Sequence, residues 1–196
     1  MTETLAGMAR RSGNKPLMFW RDSDKRDPKV VKLLAAALKS ERFQLASQWF
    51  YCVKVGDEVH EAKVLQTNHP LNSLFVGRRP AALVLLSADT KKRVSFLGTK
   101  QQRVKWTPIA SVLKASYKKN PTNAVKALHK LLYKFDALDS KKRELASQLA
   151  RAEKKNNKYK AASVQKKMLL AKKDRTEVLA EEEKLRKLVL RASSDE

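Results

Sequence analysis

A single cysteine, Cys52, stands in 196 residues. This excludes an internal disulfide framework, a Cys-x-x-Cys redox pair and a multi-cysteine zinc site, and fits a reducing, cytoplasmic setting. No apolar run approaches the length of about 18 residues that a membrane-spanning helix needs. Met1 to Lys15 has no apolar h-region and does not read as a secretory signal. No GxxxxGK[ST], GxGxxG or GxSxG pattern occurs, so nothing argues for an ATPase or a hydrolase. His60, His69 and His129 lack metal-ligand spacing, and neither a metal nor a cofactor is expected.

Negative charge is scarce: 43 Lys and Arg face 20 Asp and Glu, a formal net charge of +23. Such a balance favours close approach to a polyanion, RNA or DNA among them. Residues 1–123 hold 23 basic and 9 acidic side chains, and residues 124–196 hold 20 and 11, so the excess is not confined to one tail. At 42% hydrophobic and 32% charged, the chain can build a core and is not wholly disordered.

Residues 1–13 read as a flexible N-terminus. From Lys15 the hydrophobic period then alternates between strand and helix. Pro16 to Trp20 is a short apolar run suited to a buried strand. Asp27-Pro28 reads as an N-cap with proline at the first helical position, and Val31, Leu34, Ala35 and Leu38 recur at helical spacing to about Ser40. Gln48 to Val55 is the second expected strand and Glu58 to Leu65 a second helix. Arg79 to Leu86 and Val94 to Gly98, around a turn near Asp89, predict an antiparallel hairpin. Thr107-Pro108 opens a helix bearing Ile109, Val112, Leu113 and Tyr117.

This order, strand, helix, strand, helix, strand, strand, helix over about 105 residues, resembles the thioredoxin-like family. Phe19-Trp20 looks like the strand end that leads into the family's redox loop, and Arg79 to Leu85 like the strand that begins with its cis-proline, here Pro80. The resemblance implies a thioredoxin-like α/β domain at residues 14–120. Where a redox-active member carries Cys-x-x-Cys, this chain has Arg21-Asp22-Ser23-Asp24-Lys25-Arg26. Without a thiolate there, the family's disulfide exchange should be absent.

Residues 124–191 contain no Gly or Pro and are rich in Lys, Ala, Leu, Glu and Arg, the composition of long helices. Leu128, Leu131, Phe135, Leu138, Leu145, Leu149 and Ala152 follow coiled-coil spacing, with Lys142 in one seam position. The pattern fails at Lys154 to Lys158 and restarts with Val164, Met168, Ala171, Val178, Leu185 and Val189. A helical hairpin turning at Asn156-Asn157 mates the two stripes. A straight helix of about 100 Å that oligomerises is the rival. Residues 192–196 read as a flexible tail.

The densest basic groups are Arg78-Arg79, Lys91-Lys92-Arg93 with Lys100 and Arg103, and Lys154, Lys155, Lys158 and Lys160. All are candidate phosphate contacts. The carboxylates Asp22, Asp24 and Asp27 lie among Arg21, Lys25 and Arg26, where capping and ion pairing account for them better than a metal does. Trp20 and Trp49 fall in predicted strands and read as core. Cys52 reads as a buried, inert thiol. The expected function is a non-catalytic binding module contacting nucleic acid or a ribonucleoprotein. Two alternatives stand beside it: a protein adaptor that docks through the coiled coil without nucleic acid, and an atypical thiol redox protein using Cys52 alone.

Overall fold

A computed structural model describes residues 4–21, 28–56, 71–75, 81–97 and 104–191. The chain divides into two compact units, one of residues 1–125 with 188–196 and one of residues 126–187. The first is mixed α/β around a four-stranded sheet. The second consists of long helices.

In the first unit, helix α1 (Leu5–Arg11) occupies the segment expected to be flexible. Its start is fixed by Thr4, whose hydroxyl accepts from the Gly7 amide at 3.1 Å. Its end is fixed by Gly13 at φ 67°. There the amides of Gly13 and Asn14 bond back to the carbonyls of Arg10 and Ala9 at 3.0 and 2.9 Å. Met8 and Ala9 thereby reach the core, which a propensity reading of so short a segment misses.

Strand β1 (Leu17–Arg21) lies at the sheet's interior, parallel to β2 (Tyr51–Val55) and antiparallel to β3 (Ala81–Leu86), with β4 (Arg93–Leu97) antiparallel to β3. The order is β2-β1-β3-β4. Leu17 stands opposite Tyr51 on one side and Leu86 on the other. All six residues of β3 are buried, as expected of a strand covered on both faces. One face packs Leu17, Phe19, Val55, Val84 and Leu86 under Met8 and Ala9 of α1 and under Leu74 and Phe75 of the short helix α4 (Asn72–Phe75).

Two helices separate β1 from β2: α2 (Pro28–Leu38) and α3 (Glu41–Ser47). The expected core stripe of α2 is corrected here. Val30, Leu33 and Ala37 are buried, while Val31 is 42% and Leu38 62% exposed. With apolar residues at 30, 31, 33, 34, 37 and 38, two stripes compete, and the sequence does not say which one meets the sheet. α3 lies just ahead of the segment assigned to strand, and the turn that follows it delays β2 to Tyr51, so the buried Trp49 sits in that turn. Helix α5 (Trp106–Ser116) packs on β3 and β4, and its Ile109, Val112 and Leu113 are buried.

Helices α6 (Pro121–Lys154) and α7 (Lys158–Arg186) follow. After α7 the chain does not stay helical to Arg191 as expected. Leu190 forms an antiparallel bridge with Tyr117, and residues 188–191 belong to the first unit. The expected helix at Glu58–Leu65, the carboxylates Asp22, Asp24 and Asp27, His60, His69, Arg78, Arg79, Lys100, Arg103 and the cis-proline at Pro80 lie outside the described residues.

Candidate nucleic-acid interface

The second unit is a helical hairpin whose turn is made by two asparagines with different tasks. Asn156 adopts φ 50°, a left-handed conformation that asparagine tolerates better than most residues. The amides of Asn156 and Asn157 bond back to the carbonyls of Glu153 and Ala152, each at 2.9 Å, and close α6. The Asn157 side chain then caps α7, its Oδ1 accepting from the Lys160 amide at 2.9 Å. Beyond the turn, Leu145, Val164 and Ala171 are buried together, with Leu149 and Met168 packed against them. The seam expected from the apolar spacing thus includes these five positions. Lys142, in a seam position, is exposed and borders an open cavity with Leu138, Leu145 and Met168.

Charge divides the hairpin lengthwise. In the half nearest the turn, residues 142–173, 11 Lys and Arg face 2 Asp and Glu, a net +9. In the open half, residues 126–141 and 174–187, 8 face 7, a net +1. The ion pairs lie in the open half: Lys134 with Glu181 at 3.2 Å, Lys141 with Asp174 at 3.8 Å, and Arg175 with Asp139. Arg175 also lies over the Phe135 ring at 5.6 Å. Arg186 with Glu182 and Lys187 with Glu183 follow along α7, and Lys187 holds the Glu183 carboxyl below its usual range by hydrogen bond and charge. Among the described residues, no cation of the turn half joins an ion pair.

Lys154, Lys155, Lys158 and Lys160 are all exposed around this turn. The density of the local run makes them legible in the sequence. Arg151, Lys166, Lys167, Lys172 and Lys173, also exposed and in the same half, escape a reading along the chain. They join the group only once the two arms are folded together, and counting charge along the folded hairpin finds them.

The cluster at Lys91, Lys92 and Arg93 belongs to the first unit and is less uniform than the run implies. Lys91 and Lys92 are exposed in the β3–β4 turn. Arg93 is committed to structure, since its Nη1 and Nη2 donate to the carbonyls of Ser73 and Leu74 at 3.2 and 2.8 Å and hold α4. Asp89, within the same turn, accepts from the Ser87 hydroxyl and from the Lys91 amide at 3.1 Å. The Ser87 hydrogen bond, aided by Lys91, lowers its carboxyl from the ordinary value.

Cys52 is exposed, not buried as expected. Its sulfur nevertheless rests 4.0 Å from Met18 Sδ and 3.7 Å from the Ser47 carbonyl, and the resulting desolvation raises its pKa. A raised thiol pKa is opposite to the shift that makes an attacking thiolate at neutral pH. Cys52, Met18, Trp20 and the stripe Val31, Leu34 and Leu38 line a cavity of about 470 Å³ on the α2 side of the sheet, which accounts for the apolar residues that α2 leaves out of the core.

Among the described residues, no three His, Cys, Asp or Glu side chains cluster so as to hold a metal ion, and no helix is long and apolar enough to cross a membrane. Compared with known proteins, the chain matches no family model, no curated protein and no solved structure.

Proposed function

We propose that this chain is a non-catalytic binding module whose helical hairpin contacts the phosphate backbone of nucleic acid, free or within a ribonucleoprotein, in a reducing, cytoplasmic setting. The observation that carries this reading is the segregation of charge: +9 in the turn half against +1 in the open half. Stability alone would place acids beside those lysines, as it does in the open half. Exposed, unpaired ammonium groups are suited to displacing counterions from a polyanion. The α/β unit is read as thioredoxin-like without the redox cysteines. What supports that reading is the parallel β1/β2 pair joined through helices, the β3/β4 hairpin in the same sheet and the helix that follows.

Replacing Lys154, Lys155, Lys158 and Lys160 together by Gln tests the function. Affinity for nucleic acid should fall for all sequences alike, and the slope of log K against log salt should shrink by about 0.7 to 0.9 for each phosphate that is no longer neutralised. An unchanged slope removes the turn from the binding surface. The adaptor reading has its own support in Leu169 and Leu170, 69% and 54% exposed in the same half of α7. It expects Leu169→Ser with Leu170→Ser to abolish capture of an acidic protein that survives nuclease treatment.

A further inference from the structure

Tyr159, the second residue of α7, is 90% exposed, the highest value among the large apolar side chains of the described residues. Its neighbours in sequence are cationic: residues 151–160 hold Arg151, Lys154, Lys155, Lys158 and Lys160 against Glu153 alone. The hairpin does not use this ring, since its seam lies at Leu145, Val164 and Ala171. A solvated face would be served by any polar residue. An aromatic ring held at a turn among unpaired ammonium groups combines the two elements that bind an unpaired nucleotide, a stacking platform and a neutraliser of phosphate.

We propose that Tyr159 stacks on an unpaired base while the surrounding lysines hold the flanking phosphates, so that the turn of the hairpin prefers single-stranded nucleic acid over duplex; this rests on the nucleic-acid reading above. The physical reason is the state of the base faces. In a duplex they are already stacked on one another, and the ring would have to unstack a step to meet one. In a single strand they are free, and stacking tolerates any sequence because every base has a π-face. The lysines alone would bind both forms.

The test uses the full chain with an unstructured oligopyrimidine of about 12 nucleotides, within the footprint of ordinary single-strand binders, made as RNA and as DNA, and a blunt duplex of the same length. Wild-type protein should bind the single strands more tightly. Tyr159→Ala should weaken single-strand binding about 5-fold or more, on RNA and DNA alike, and leave duplex binding within about 2-fold. Its salt slope should equal the wild-type slope, because no charge has been removed. Tyr159→Trp should retain affinity. An exposed side chain contributes little packing, so circular dichroism should show unchanged helicity. Single-strand affinity unaltered by Tyr159→Ala, or an equal loss on duplex, overturns the stacking role while leaving the lysine interface standing. Failure of wild-type protein to bind any of the probes removes the nucleic-acid reading itself and this inference with it.

Discussion

The Tyr117 hydroxyl donates a 2.6 Å hydrogen bond to the Trp49 carbonyl, across 68 positions of sequence. It ties the residue that ends α5 to the turn that starts β2, and Tyr117 is itself 3% exposed. Tyr117→Phe keeps the ring and removes this hydrogen bond, which should cost about 0.5–1.5 kcal/mol. Burial also pushes the phenol pKa well above its ordinary value of 10.0. Below pH 10 both the folded and unfolded states keep the proton, and the shift has no effect on stability. Above it the unfolded chain loses the proton first, so stability should fall by up to about 1.4 kcal/mol per pH unit. Melting curves between pH 8 and 11 should show this decline in the wild type and a shallower one in Tyr117→Phe. Equal slopes would remove Tyr117 as the source.

Residues 188–191 are hydrogen-bonded into the first unit. The Lys118 amide bonds to the Val189 carbonyl and the Arg191 amide to the Ser116 carbonyl, both at 2.9 Å, and Arg191 Nε donates to the Tyr117 carbonyl at 3.1 Å. Replacing residues 126–187 by a flexible Gly/Ser linker keeps all three bonds and should leave one cooperative unfolding transition. A chain ending at residue 125 forfeits them, and at about 0.5–1.5 kcal/mol per bond its Tm should be lower by roughly 5–15 °C. Coincident melts of the two forms would show that the returning segment contributes nothing.

This return of the chain marks a limit of what the sequence makes legible. Leu188 to Arg191 carry a helical composition, yet they leave the helix and Leu190 bridges to Tyr117. The buried strands at Leu17 and Ala81 are readable because their apolar runs are short and bounded by turn residues. The hairpin is readable because its apolar stripe breaks at two asparagines. α2 is readable as a helix but not in its rotation, since two apolar stripes lie side by side and tertiary packing alone chooses Val30, Leu33 and Ala37. For the candidate site, the four lysines near the turn stand out locally, whereas the division of the hairpin into charged and neutral halves emerges only when residues 142 and 173 are brought to the same level.

The two asparagines of the turn should respond differently to substitution. Asn156→Gly relieves the left-handed backbone and should leave the Tm unchanged or slightly raised, while Asn156→Val, β-branched at positive φ, should lower it. Asn157→Ala removes the cap on the Lys160 amide and should cost about 0.5–2 kcal/mol. Thermal melts followed at 222 nm, with the wild type in parallel, check all three. A tolerated Asn156→Val would mean that the turn is not held in this geometry.

Cys52 offers a direct reading of its surroundings. Because desolvation raises its pKa, its thiolate fraction at pH 7.5 should be smaller than that of a free cysteine, and alkylation by iodoacetamide correspondingly slower. The rate should climb about tenfold per pH unit until the thiol titrates. Met18→Ala should open the sulfur's packing and speed the reaction. Alkylation at neutral pH faster than that of a free thiol would indicate an activated cysteine and revive the redox alternative.

The open half of the hairpin holds ion pairs both along α7 and across the two helices, and Asp139 is the sharpest place to disturb the latter. Its carboxylate pairs with Arg175, which also lies over Phe135, and both partners are partly exposed. An exposed pair of this kind contributes about 1 kcal/mol or less. Asp139→Lys does more than delete it, because it sets an ammonium against the guanidinium and raises the open half from +1 to +3. The variant should melt below Asp139→Asn, and the gap between the two should narrow as salt rises from 20 to 500 mM, because screening weakens repulsion between exposed charges. On the proposed function, nucleic-acid affinity should not fall with the melting temperature, since the substituted site lies outside the cationic half and adds positive charge. If Asp139→Lys instead weakens binding in proportion to its loss of stability, the interface extends into the open half, and the division of labour along the hairpin must be redrawn.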